Sequence, residues 1–201
     1  MKAKRSVIPV FVPHLGCPRD CIFCNQRSIA APKEPSMEEL WVNIEESLSR
    51  SGDGAELAFY GGSFTAIDRE KRLGYLKTAY PFIKSGRLSS IRVSTRPDCI
   101  TADILDELEY YGVKTIELGA QSMENRVLML ANRGHTAEDT VQASEFIKSR
   151  GFTLILQMMV GLPGENSSSP GYTAERIAHL EPFGVRIYPV AVIKHTALEH
   201  M

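Results

Sequence analysis

Six short apolar runs alternate with amphipathic stretches along the chain, and this alternation restricts the fold more than any other feature. The runs fall at residues 7–12, 55–60, 90–94, 114–118, 153–160 and 184–192. Most are nearly continuous in Val, Ile and Leu, as expected of strands buried on both faces. Helix signals fill the gaps. Ser36-Met-Glu-Glu39 reads as a capping box, followed by Leu40, Ile44 and Leu48 at helical spacing. A helix fits residues 68–83, ahead of Gly86. Thr101 can cap a helix with Ile104, Leu105, Leu108 and Tyr111 on one face, ended by Gly112. Thr136 can cap another, carrying Val141, Phe146 and Ile147 and closed by Gly151. Thr173 opens a last helix that stops near Pro182 and Gly184, while the polar, Ser-rich residues 166–170 read as a surface loop. Strict alternation of strand and helix implies parallel strands joined by right-handed crossovers, an α/β fold. No linker, low-complexity stretch or internal repeat divides residues 1–201.

In parallel α/β folds, ligands bind beyond the C-terminal ends of the strands. The unusual residues of this chain cluster there. The first run leads into the cysteines, the second into Gly61-Gly62-Ser63-Phe64 and the third into Thr95-Arg96-Pro97-Asp98. The fourth leads into Gly119-Ala120-Gln121-Ser122, the fifth into Gly161-Leu162-Pro163-Gly164, and the sixth passes Tyr188-Pro189.

The cysteines are Cys17-Pro-Arg-Asp-Cys21-Ile-Phe-Cys24. Three thiolates in one compact loop can hold three irons of a four-iron cluster, leaving one iron open, whereas such clusters ordinarily take four cysteines. A structural zinc ion usually wants four ligands, often as two separated pairs. No second pair is present, although His14 and Cys99 are candidate fourth ligands. Phe23 could shield such a centre from water or serve as an ordinary core aromatic.

Composition removes several other classes. The formal net charge is -1, so no whole-domain field recruits nucleic acid. Lys2, Lys4 and Arg5 could begin a local basic patch or form a solvated terminus. No apolar run is long enough to span a membrane. The first run is too short, too proline-interrupted and without a small-residue cleavage site to be a signal peptide. One cysteine triad plus Cys99 is not a disulfide framework, and a reducing cytoplasm fits best.

On these motifs the chain resembles the radical S-adenosylmethionine (radical SAM) enzymes, and within them the branch of the Elongator catalytic subunit and its bacterial relatives. The resemblance is carried by Cys17/Cys21/Cys24, Gly61-Gly62-Ser63-Phe64, Thr95-Arg96-Pro97-Asp98, Glu117-Leu118-Gly119-Ala120-Gln121-Ser122, Asn132-Arg133-Gly134-His135 and Gly161-Leu162-Pro163-Gly164. Their order matches from about residue 9 to residue 189. It implies a partial six-stranded (β/α) barrel holding a [4Fe-4S] cluster and SAM. The unique iron chelates the methionyl part, an electron cleaves a carbon–sulfur bond, and a 5′-deoxyadenosyl radical abstracts hydrogen from a substrate.

The same resemblance assigns Cys17, Cys21 and Cys24 to the cluster and the turn Gly61, Gly62 and Ser63 to the methionyl amino group. Gln121 becomes a polar SAM contact and Arg133 a partner for the SAM carboxylate. Ser94 stands where many relatives have an acidic contact, which is a departure. Gln157 stands where some relatives place an acidic ribose contact, and Met159 and Gly161 fall on the adenine side. Phe11 and Phe23 could pack against the nucleoside. Each has a plainer alternative. Arg133 could end a surface helix, Arg96 could pair with Asp98 or Glu117, and Gln157 could be a buried amide satisfied by protein. His14 and His135 read as structural, the Met158–Met159 pair as core, and Tyr188 as facing either substrate or barrel interior.

Transfer RNA, porphyrinogens and other small molecules are substrates among such relatives, and an external electron donor is implied. A coproporphyrinogen-oxidase-like enzyme and a non-catalytic zinc or iron–sulfur module are the rival readings. No acetyltransferase segment such as the Elongator subunit carries is seen. Residues 1–201 are expected to be a radical SAM core lacking a further C-terminal region that shapes the substrate site.

Overall fold

The computed structural model describes residues 6–13, 15–17, 21–25 and 33–201. Lys2, Lys4, Arg5 and the candidate ligand His14 lie outside the described residues. Six strands, β1 (Val7–Phe11), β2 (Ala55–Tyr60), β3 (Leu88–Thr95), β4 (Val113–Gln121), β5 (Thr153–Val160) and β6 (Gly184–Pro189), form one sheet in sequential order. Every neighbouring pair is parallel, and β1 does not close onto β6. The result is a curled, open half-barrel: the parallel pairing expected from the alternation, in the partial barrel that the family resemblance implies.

Among the described residues, six α-helices cover its outer side: α1 (Met37–Ser51), α2 (Arg69–Lys84), α3 (Ala102–Tyr110), α4 (Asn125–Leu130), α5 (Ala137–Ser149) and α6 (Ser169–His179). Their starts are chemically marked. Ser36 and Glu39 complete the capping box of α1, Asp68 caps α2, Thr101 caps α3, and Thr136 with Asp139 forms a second box at α5. Leu40, Ile44 and Leu48 of α1 are buried against the sheet. Each such side chain contributes about 1.5–3 kcal/mol by leaving water.

Strand period sorts the remaining chemistry. Ile91 and Val93 of β3, Ile116 and Leu118 of β4, and Leu154 and Leu156 of β5 belong to the core under the helices. Their sequence neighbours Ser94, Glu117, Gly119 and Gln157 line the concave side instead.

Three boundaries differ from the sequence expectation. Strand β6 stops at Pro189 rather than residue 192, because its partner β5 ends at Val160, where Val160 pairs with Pro189. Helix α6 starts at Ser169 rather than Thr173. Residues 166–170 are therefore not simply a loop. The Asn166 carboxamide oxygen accepts from the Ser168 and Ser169 amides, and Pro170 lies in the first turn, where its missing N–H costs nothing. Thr173 is buried inside the helix, and its hydroxyl accepts from the Met123 amide. Short helix α4 carried no capping signal, and its N-cap residue Glu124 makes no side-chain cap.

Two glycines lock the start of the cysteine loop onto the turn after β2. A Cβ on Gly62 would lie 2.4 Å from the Leu15 carbonyl oxygen and 2.7 Å from that of Val12. A Cβ on Gly16 (φ +70) would lie 2.2 Å from the Ser63 carbonyl oxygen. The Ser63 amide donates to the Leu15 carbonyl at 2.9 Å. Gly62 is thus required by close approach of protein backbone, whatever ligand lies nearby. In denaturant unfolding, Gly62→Ala is expected to lose about 1–3 kcal/mol by overpacking. Gly171→Ala, with nothing within 4 Å inside helix α6, is expected to gain about 0.5–1 kcal/mol.

Candidate functional site

A cavity of about 660 Å³ opens at the C-terminal ends of the strands, within the range of small-molecule and cofactor sites. Cys17, Cys21 and Cys24 all line it. The loop they share is tied down on two sides. The Ile22 amide donates to the Ala131 carbonyl at the end of α4, at 3.2 Å. The segment after β6 returns across the mouth, where the Leu198 amide donates to the Ile22 carbonyl and the Asn25 side chain to the Lys194 carbonyl, each at 2.9 Å. Ala191 and Ile193 of that segment form part of the cavity wall.

Two arginines serve the cysteine end. Arg133 is buried, with Nη1 3.2 Å from the Cys21 sulfur and Nη2 donating to the Gly119 carbonyl at 2.7 Å. It is therefore no surface residue at a helix end. Arg96 makes a bidentate pair with Asp98 at 2.9 and 3.0 Å and donates to the Arg133 carbonyl. Burial pushes the Asp98 carboxyl up, but the Arg96 pair outweighs it and holds the group below the usual carboxylate range. Burial, then Cys21, raises the Cys17 thiol, while Arg96 and Arg133 pull against that rise.

The cavity presents groups with unmet hydrogen-bonding capacity. Gln121 stands in a left-handed conformation (φ 67) at the end of β4, and its Oε1 is buried with no partner. Arg133 Nε is likewise buried and unpaired. Both residues line the cavity, and buried polar atoms are rarely left this way unless a ligand or water completes them. Gly119 leaves room for them, since a Cβ there would lie 2.8 Å from Gln121 Nε2. These orphans, beside three thiols, fit a polar ligand seated on a thiolate-held metal centre.

Other expected residues take more specific places. Gly61, Gly62 and Ser63 line the cavity, but the Ser63 hydroxyl faces inward and bonds Thr95 Oγ1 at 3.0 Å. Phe23 and Met159 line it and also pack against Val127, Ala131 and Leu162, so both roles foreseen for Phe23 are compatible. Phe11 lies 6.3 Å from the Tyr60 ring on the same wall. Met158 is core, whereas Tyr188 faces the cavity. Cys99 is half-buried outside the cavity lining, beside Asp98 and Arg96. Among the described residues, no three His, Cys, Asp or Glu side chains are drawn together as a single ion would hold them. A cluster instead spreads its ligands over separate irons.

A polar ladder across the concave side was not foreseen. Glu117 is fully buried and accepts from Arg92 at 2.6 Å, Gln157 at 2.8 Å and Arg186 at 2.9 Å. Arg92 also reaches Glu56 at 2.6 Å, and Glu56 takes the Ser90 and Thr115 hydroxyls. Glu117 therefore pairs with Arg92 and Arg186, not with Arg96. The signal for it was an acidic residue inside an apolar strand, which must find partners.

Comparison with known proteins adds lineage. The Radical SAM superfamily signature matches residues 11–177. An uncharacterized protein of Methanocaldococcus jannaschii is 34% identical over 100% of this chain and 65% of its own length. A tRNA uridine(34) acetyltransferase of Methanocaldococcus infernus is 26% identical over 98% of this chain and 45% of its own. The chain thus spans about half to two thirds of these relatives. The solved archaeal Elp3 of Methanocaldococcus infernus, with residues 1–46 deleted, shares the fold at a TM-score of 0.76 and 24% identity, over 98% of this chain and 48% of that one. Among the described residues, no helix is long and apolar enough to cross a membrane.

His135 supplies a pH-dependent element beside the site. It is buried, and its Nε2 lies 3.2 Å from the Ala120 carbonyl, which can only accept, so Nε2 carries the proton. Nδ1 is buried without a partner. Burial, then Arg133 and Arg96, lowers its pKa to about 4. Because the folded value lies below the unfolded one, its contribution is complete above pH ~6.5 and is lost as pH falls toward 4. Chemical denaturation at pH 8 and pH 5 should differ by about 2 kcal/mol from this residue alone, a difference that His135→Gln removes.

Proposed function

The chain belongs to the radical SAM superfamily, and we infer that it binds a [4Fe-4S] cluster through Cys17, Cys21 and Cys24 and S-adenosylmethionine beside it. When bound, that pair supplies reductive cleavage of the sulfonium and a 5′-deoxyadenosyl radical able to abstract hydrogen. The observation that carries this reading is the convergence of three thiols with two orphaned buried polar groups, Gln121 Oε1 and Arg133 Nε, on one cavity.

The chain's own residues divide the work. Arg133 places a permanent cation between a cluster thiolate and the carboxylate of the ligand, a charge-assisted contact on each side. The turn at Gly61, Gly62 and Ser63 brings backbone groups to the methionyl amino group, and Gln121 completes the polar contacts. Ser94 and Gln157 face the sugar, with Met159 on the base side. Phe11, Phe23 and Tyr60 wall the cavity with apolar surface and exclude water from the reacting centre. Arg96, locked by Asp98, holds the Arg133 backbone in place.

A transfer RNA nucleotide is the substrate class that the named relatives support. The electron comes from an external donor. With a formal charge of -1, RNA recognition would depend on local contacts rather than on a whole-domain field.

Anaerobic reconstitution with iron and sulfide, reduction and addition of SAM should release 5′-deoxyadenosine. Cys21→Ala should abolish that release together with the iron–sulfur absorbance. Arg133→Gln should keep the cluster yet weaken SAM binding about tenfold or more, the loss expected for one charge-assisted hydrogen bond. Protein that holds stoichiometric zinc and forms no cluster would refute the proposal.

A further inference from the structure

The row of charges on the cavity floor is neutral in sum, but its two ends differ. Glu56, at one end, is buried and already accepts from the Ser90 and Thr115 hydroxyls and from Arg92. Arg186, at the other, is the accessible member, its side chain 40% exposed against 17% for Arg92 and 0% for Glu117. It stands on β6, the edge strand, and lines the cavity. Its partner Glu117 precedes Gln121 by four residues on β4, so this floor lies on the order of 10 Å from the orphaned amide at the cysteine end.

Among the described residues, three guanidiniums line the cavity, Arg96, Arg133 and Arg186, against one carboxylate, Glu117. Arg96 is committed to Asp98, and Arg133 to Cys21 and the Gly119 carbonyl. Glu117 is shared, because Arg92 also donates to it, at 2.6 Å. Arg186 fills only part of its fork. Its Nη2 donates to Glu117 at 2.9 Å and lies 3.4 Å from the Tyr60 hydroxyl. Its Nη1 lies 3.5 Å from the Tyr188 hydroxyl, and nothing among the described residues bonds Nε. The donors left over form an edge that matches carboxylate and phosphate oxygens. Tyr60 and Tyr188 hold two more hydroxyl donors beside it. Phe11, Ala191 and Ile193 add apolar wall, where a charge-assisted hydrogen bond is stronger than in water.

We propose that Arg186, flanked by Tyr60 and Tyr188, is the subsite that holds an anionic oxygen group of the substrate, a phosphate or a carboxylate. The inference rests on the reading above in giving the cysteine end to SAM, and it assigns the floor at β6 to the second ligand. Glu117 orients the guanidinium and leaves its outer edge to the ligand. Because the row sums to zero, recognition is by these local donors and not by a long-range field.

The test is calorimetric binding to the cluster-loaded protein, kept oxidised so that SAM is not cleaved. SAM is titrated first, and then, with SAM saturating, inorganic phosphate and malonate. Wild type should bind at least one of the two anions, and Arg186→Gln should weaken that binding about tenfold or more, the loss expected for one charge-assisted hydrogen bond. SAM affinity should stay within about twofold. Arg186→Lys, which keeps the charge but not the fork, should recover part of the loss. Should Arg186→Gln not fold, the double variant Tyr60→Phe/Tyr188→Phe removes both hydroxyls and should weaken the anion about threefold or more. A preference for phosphate assigns the subsite to a nucleotide-borne phosphate, and a preference for malonate assigns it to a carboxylate-bearing small molecule. Anion binding that survives unchanged in Arg186→Gln, or in the double variant, overturns the proposal. So does a parallel loss of SAM affinity, which returns Arg186 to the cofactor's own site. Wild type that binds SAM but neither anion refutes this inference alone. Wild type that binds an anion through Arg186 but no SAM refutes the underlying functional reading and leaves the anion subsite standing.

Discussion

A carboxylate sealed from water inside a barrel stays charged only if cations and hydrogen-bond donors surround it, and Glu117 sets that requirement here. Its partners come from three other strands' worth of chain: Arg92 on β3, Gln157 on β5 and Arg186 on β6, with Glu56 on β2 closing the far end through Arg92. Such a buried network adds little net stability over an apolar filling. Its effect is to assign each polar side chain one orientation, and so to shape the surface that a ligand meets. Two carboxylates and two guanidiniums leave the ladder formally neutral, so the floor of the cavity orders hydrogen bonds without imposing a strong field.

The mouth of the barrel is organised by steric fit. Gly16 and Gly62 let the cysteine loop and the turn after β2 approach more closely than any side chain allows. Arg133 then crosses from the segment after α4 to Cys21, and Arg96 crosses from the end of β3 to the Arg133 carbonyl. The contacts around the cysteine loop thus come from the connections after β2, β3 and β4 and from the segment after β6. Parallel topology makes this possible, because it brings every such connection to the same end of the sheet.

Much of this was legible from residues alone. Period and capping chemistry located the strands and most helices, since Ser36, Thr101 and Thr136 sit where orphan amides need acceptors. Thr173 misled because a threonine ahead of an apolar face has the look of a cap, yet its hydroxyl is spent on the Met123 amide. The short helix α4 carried no capping residue to betray it. Cys99 could be weighed as a ligand only until its place outside the cavity lining was known.

The parallel pairing of the strands, the end of the sheet where the unusual residues gather and the grouping of three thiols in one loop follow from sequence, because alternation, crossover handedness and residue spacing are properties of the chain taken in order. Which donors meet Glu117 and which way the Gln157 amide faces are settled only by tertiary structure. Those facts depend on the register between strands about 20 to 70 residues apart, and period-2 patterning says which face a side chain takes but not whom it meets there.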